Sequence, residues 1–201
     1  LDQAVELLLS RIGTHKELTD VLIEYSLGKS EEDKSWDISR DLSEFSKILL
    51  NEEDITHFRK LSDTSLQDFK TLQQKLLAHK KEVIAKMKSI GEKALQMMEN
   101  NHLEFGYFFK SMFPNHFLSL SKNPQITKFF EQNTLKKRIQ EKQLYTKSKS
   151  EKIKSSIEEI LPELIKLYND SELLYQQLLK NKLVTESIIP LAVLNNINQE
   201  L

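Results

Sequence analysis

The 201 residues contain no cysteine, which excludes a disulfide framework, a thiolate metal site and a cysteine nucleophile. Glycine and proline are scarce, at four each. All-β and α/β designs need turn residues every roughly 8–12 positions, so this scarcity excludes most of them. Long apolar runs are missing too. Val21-Leu22-Ile23 and the stretch Ile188 to Leu194, broken by Pro190, are typical of the longest. The helical span of a bilayer takes roughly 20 apolar residues. Charge of one sign is not in excess: 29 basic and 30 acidic residues leave a net −1. No global field therefore draws the chain to nucleic acid or to a membrane. Signatures of phosphate loops, dinucleotide folds, zinc proteases, nucleophile elbows and EF-hands are also absent. The chain begins at Leu1 with no basic and apolar leader, the pattern expected of a fragment of a longer protein.

What is present is periodic. Leu, Ile, Val and Phe supply 63 of the 201 residues, enough to exclude a disordered chain. Residues 2–27 read as one helix with a stripe through Val5, Leu8, Ile12, Thr19 and Leu22, closed by Gly28 as a carboxy-terminal cap. Residues 29–35 read as a polar link. A second helix is expected from about Trp36 to Leu50, on the spacing of Ile38, Leu42, Phe45 and Leu49. Asn51, followed by Glu52, Glu53 and Asp54, is a good N-cap because its side chain accepts an orphan N–H and the acids suit the helix dipole.

From Phe58 to Met97 apolar residues recur every three or four positions, at a mean step of about 3.5, the period of a coiled-coil seam. This predicts a single helix over 53–99, with the Ser-Asp-Thr-Ser run at 62–65 as the one place where a new helix could be capped. Leu72, Leu76, Val83 and Ile90 should then be buried, and Lys75, Lys81 and Lys88 exposed. Residues 101–125 form a Phe-rich bend. Beyond it, Ile153, Ile157, Ile160, Leu164, Leu167, Ser171, Leu174 and Leu178 rebuild a stripe, which Pro162 kinks without changing its phase. A tail from Val184 to Ile197, holding Pro190, is expected to fold back.

The fold class expected is all-α: an elongated, antiparallel, coiled-coil-like bundle of three to four long helices, as a single domain over 1–201. Its sub-regions are an acidic helical pair (1–50), a long helix (51–100), the Phe-rich bend (101–125), and basic then kinked carboxy-terminal helices (126–201). A compact globule of this length has a radius of gyration of about 16–17 Å, and narrow stripes predict a larger one.

Two surfaces are candidates for function. Phe105, Phe108, Phe109, Phe113 and Phe117 could make an apolar docking patch, or could plug the bend from within, since corners need bulky side chains to fill irregular space. Residues 122–154 hold ten basic residues against three acidic, and 1–60 hold eight against fourteen. Lys136, Lys137, Arg138, Lys142, Lys147 and Lys149 are thus candidates for contact with an anionic surface or an acidic partner, or form a solvated face. The five histidines are scattered, and His102 with Glu104 lacks the cysteine pair that a zinc deaminase motif needs. No catalytic, metal or cofactor residue is expected. With four arginines in the whole chain and no nucleic-acid module, nucleic acid is not an expected partner.

The function expected is a non-enzymatic scaffold, adaptor or tether that works through protein partners or self-association, in the cytoplasm. In general layout (long kinked helices, about 200 residues, a basic stretch) the chain also resembles BAR-type membrane-curvature modules. That resemblance implies a peripheral position on an anionic membrane and a role in trafficking. The Phe-rich bend departs from a plain three-helix layout of that kind.

Overall fold

A computed structural model describes residues 1–31, 37–124, 130, 134–145 and 148–201. Among these the chain is helical, and its one β-type pairing is an isolated bridge between Phe108 and Tyr145. Contacts divide it into two compact units, Leu1–Leu77 with Lys182–Leu201, and Ala78–Asn181. The helices are α1 (Asp2–Ser10), α2 (Lys16–Glu31), α3 (Ile38–Ser46), α4 (Glu52–Arg59), α5 (Leu66–Asn100), α6 (Met112–Lys122), α7 (Thr134–Gln140) and α8 (Glu151–Gln199). Helices α5 and α8, of 35 and 49 residues, each supply residues to both units. The other described helices have 16 residues or fewer.

In the first unit, helices are short because the chain stops them. The helix expected over 2–27 is cut at Gly13, whose φ of 86° lies in the left-handed region that favours glycine. The Gly13 N–H donates to Thr19 Oγ1 at 2.9 Å, and that hydroxyl donates to the His15 carbonyl at 2.7 Å, so the turn is fastened from both sides. Ile12, expected in the stripe, is exposed. Gly28 is no cap: it lies inside α2. Trp36 lies outside the described residues. Asp37 caps α3 by accepting from the Arg40 N–H, and a 3₁₀ turn, Lys47–Leu50, completes the segment.

Asn51 caps α4 as expected, its side chain accepting from the Glu53 N–H at 3.1 Å. The helix expected over 53–99 is broken between Arg59 and Leu66. Ser65 and Asp68 form a reciprocal cap there: the Asp68 N–H donates to Ser65 Oγ, and the Ser65 N–H donates to the Asp68 carboxylate at 2.9 Å. The Ser65 hydrogen bonds also hold the Asp68 carboxyl below its usual range. Carbonyls left free in the turn accept from the far end of the chain. Asn195 Nδ2 donates to Thr64 O at 3.1 Å, and Gln199 Nε2 to Ser62 O at 2.7 Å. Arg11 and Glu200 add a two-pronged ion pair. The core gathers Val5, Leu8, Val21, Leu22, Leu42, Phe58, Phe69, Ile188, Val193 and Ile197.

The second unit is built on α5 from Ala78, α6, α7 and α8 up to Asn181. The buried line on α5 is Val83, Met87, Gly91, Ala94 and Met98. Its steps of four, four, three and four lie nearer a straight helix than a coiled-coil seam. Lys75, Lys81 and Lys88 are exposed as expected and Val83 is buried, but Leu76 and Ile90 are half-buried and Leu72 is 44% exposed. Gly91 belongs to the buried line for a reason of its own. A Cβ there would lie 2.6 Å from both Phe117 O and Ser121 N, so its missing side chain lets the backbone of α6 approach α5. α5 ends in a Schellman motif with His102, not glycine, in the left-handed position; Leu103 N–H donates to Met98 O, and His102 N–H to Glu99 O, each at 2.9 Å. Lys142 closes α7 in the same way.

On α8 the expected stripe holds through Ile157, Ile160, Leu164, Leu167, Ser171 and Leu178, all buried, whereas Ile153 and Leu174 are half-buried. One helix runs through Pro162. It also runs through Pro190, so the tail from Val184 does not fold back. Residues 184–197 are held in helix because Ile188, Ile189, Ala192, Val193 and Ile197 enter the core of the first unit. Such packing outweighs the roughly 3 kcal/mol that an interior proline costs a helix.

Candidate docking groove

A groove of about 480 Å³ opens in the first unit, lined by two helix faces. From α4 and its end come Asp54, His57, Phe58 and Leu61, spaced i, i+3, i+4, i+7, which places them on one face. From α8 come Leu183, Glu186, Ser187, Pro190, Leu191 and Leu194, again on one face. Phe45 and Ile48 close one side. Phe58 and Leu194 are buried, Phe45, Leu61, Pro190 and Leu191 half-buried, and Ile48 and Leu183 exposed, Leu183 at 68%. Pro190 has no N–H to give the Glu186 carbonyl, so this wall also has a carbonyl without its helical donor.

The carboxy-terminal turns of α8 are thus apolar on opposite sides. One side is core; the other faces the groove. A helix apolar all round is normally buried all round. Asp54 and Glu186 add acid to the two walls. Asp54 accepts from Asn51 Nδ2 at 2.9 Å, and Glu186 pairs with exposed Lys182 at a loose 3.8 Å. Sequence reasoning missed this site because it ended the helix near Val184. The i, i+3, i+4, i+7 pattern of Leu183, Glu186, Ser187 and Pro190 was legible only with the helix continued.

The two surfaces singled out in the sequence lie in the second unit. Phe108, Phe113 and Phe117 are at most 1% exposed, so they cannot form a docking patch; Phe105 and Phe109 are half-buried. Their physical role is to fill the bend. Phe113 stands 5.2 Å from Phe117 and 6.4 Å from Tyr168 between ring centroids, and Phe130 stacks on Tyr175 at 4.8 Å. His116 is buried in this aromatic cluster, its ring 5.1 Å from that of Tyr168 and its Nε2 3.3 Å from Ser171 Oγ. Ser171 spends its proton on Tyr168 O at 2.7 Å, which makes Nε2 the donor to the hydroxyl. Burial lowers the pKa of His116 to about 3, and burial followed by the charge of Glu172 raises that of Tyr168 to about 12.

The basic residues are distributed among local partners. Lys136 pairs with Glu172 at 2.7 Å, Lys137 and Arg138 approach Glu141 at 3.8 and 3.6 Å, and Arg138 also bonds Gln143. Arg138 covers the Phe109 ring at 4.5 Å, and Lys149 the Tyr107 ring at 5.0 Å. Lys142 is exposed at its left-handed cap. Lys147 lies outside the described residues. In a recess beside Phe109, Lys142 and Gln143, Tyr145 donates to Glu158 and Lys154 pairs with Glu151.

The charge division follows the two units. Leu1–Leu77 with Lys182–Leu201 carries 11 basic and 18 acidic residues, net −7; Ala78–Asn181 carries 18 and 12, net +6. Among the described residues no group of three or more His, Asp or Glu side chains could hold a metal ion, and no helix is long and apolar enough to cross a membrane. No protein-family model, curated protein or solved structure matches this chain.

Proposed function

We propose that this protein is a non-enzymatic helical adaptor or scaffold that engages a protein partner through the groove of its first unit. The observation that carries the reading is the second apolar face on α8, with Leu183 largely in solvent beside Ile48. Exposed apolar surface of this kind, rimmed by polar groups, marks interaction sites in soluble proteins. The elongated, coiled-coil-like layout expected from the sequence belongs to the same proposal, and solution scattering with molar mass tests it.

The test of function compares the parent with Leu183→Asp, an exposed position whose change should leave the core intact. Light scattering across a concentration series reads self-association, and crosslinking with peptide mapping reads where a partner sits. Association lost in the variant, with crosslinks on α4 and the end of α8, supports the adaptor. Co-sedimentation with acidic but not neutral liposomes, unchanged by Leu183→Asp, would replace it with the membrane reading.

A further inference from the structure

We infer that the groove takes one amphipathic helix of a partner protein, with Lys or Arg on either side of its apolar stripe; this rests on the adaptor reading and names the partner's chemistry. Two helix faces separated by an apolar floor are the geometry of helix-in-groove recognition, in which anchors at i, i+3, i+4 and i+7 enter a hydrophobic trough. Phe58 and Leu194 supply the floor, and Ile48 and Leu183 the exposed apolar edges.

Charge selects the flanks. Asp54 stands on the α4 wall and Glu186 on the α8 wall, and the exposed Glu52 and Glu53 precede Asp54 in the first turn of α4. Lys182, the cation paired with Glu186, is held at 3.8 Å with both groups exposed, a pair weak enough to exchange for an incoming base. Lys182 itself is not among the described lining residues, where His57 is the one basic side chain. The unit as a whole is net −7, so it attracts a basic segment and repels an acidic one before contact.

The test uses the full chain and a displayed library of amphipathic helices, the stripe randomised among apolar residues and the flanks among Lys, Glu and Ser. The expected result is recovery of helices with Lys on both flanks. Leu183→Asp should weaken them about tenfold or more, as loss of a buried anchor does. Glu186→Lys should weaken them about three- to tenfold at low salt, less at high salt, and shift selection towards Glu on one flank. Circular dichroism confirms that both variants are folded. Recovered helices with Ser or Glu flanks would overturn the basic-partner inference and leave the adaptor reading standing. No helix enriched above the Leu183→Asp background would overturn both. Displacement of helices by a dimer of the protein would make a second copy the occupant, and saturable binding of an apolar dye without helices would make it a small apolar ligand; either result overturns the inference.

Discussion

The two units close a helical core by different means. The first is acidic, and its short helices are stopped and restarted by side chains: Gly13 and Thr19, Asp37, Asn51, then Ser65 with Asp68. Its core is mainly aliphatic. The second is basic, and its bend is shaped by bulk: Phe108, Phe113, Phe117, Phe130, Tyr168 and Tyr175 fill the space between longer helices. There non-glycine residues take positive φ, His102 and Lys142 at helix caps and Lys110 and Ser111 in the bend. Single non-glycine residues in that region cost about 1–2 kcal/mol each and persist where the surroundings over-determine them. Capping chemistry can thus organise one part of a chain while aromatic volume organises another.

Acid should separate the units most strongly. The folded second unit holds His116 neutral down to a pH of about 3, whereas an unfolded histidine protonates near about 6.5. Between those values the unfolded state binds the extra proton, so stability falls as pH falls, at a slope approaching about 1.4 kcal/mol per pH unit. His116→Gln should flatten that limb of a denaturation-versus-pH profile. Equal slopes in parent and variant would show that His116 is hydrated.

Gly91→Ala should come next. Its Cβ would strike two backbone atoms of α6, and overpacking of this kind costs about 1–3 kcal/mol, read as a lowered denaturation midpoint. Gly28→Ala in the first unit is the matched opposite. Its Cβ would meet nothing within 4 Å inside α2, so a gain of about 0.5–1 kcal/mol is expected. A loss at Gly28 comparable to that at Gly91 would erase the contrast. The smallest effect should follow replacement of Lys136, Lys137, Arg138 and Lys142 by Glu. Exposed pairs are worth about 0–1 kcal/mol each, so the melting temperature should barely move. Unfolding would show instead that the pairs to Glu141 and Glu172 hold the unit together.

Helical class and the α8 stripe were legible because apolar spacing records burial directly. Asn51 was legible because cap and acidic first turn agree. The choice between Gly13 and Gly28 was not, since both follow apolar residues and only the tie to Thr19 distinguishes them. The caps at His102 and Lys142 carried no glycine to announce them. Gly91 was invisible to hydrophobicity, although it belongs to the buried line of α5. The groove stayed hidden for a related reason: Pro190 looked like an end, while the core contacts that carry α8 past it come from residues more than 100 positions away.

The hydrogen bonds from Asn195 and Gln199 to the turn at Ser62 and Thr64 have a consequence in time. Residues 1–77 of the first unit leave the ribosome before the second unit, yet the first unit lacks its last helical turns until residue 197 is made. The second unit, Ala78–Asn181, is one unbroken stretch and is fully synthesised sooner. Domains generally fold as units while synthesis proceeds. Arrested chains ending just beyond Asn181, still attached to the ribosome through a flexible linker, should therefore resist protease in the Phe-rich region while remaining cleavable between Arg59 and Leu66. Protection appearing first at the amino terminus would refute that order. Otherwise, of the two units, the one whose synthesis starts first is the last to complete its core.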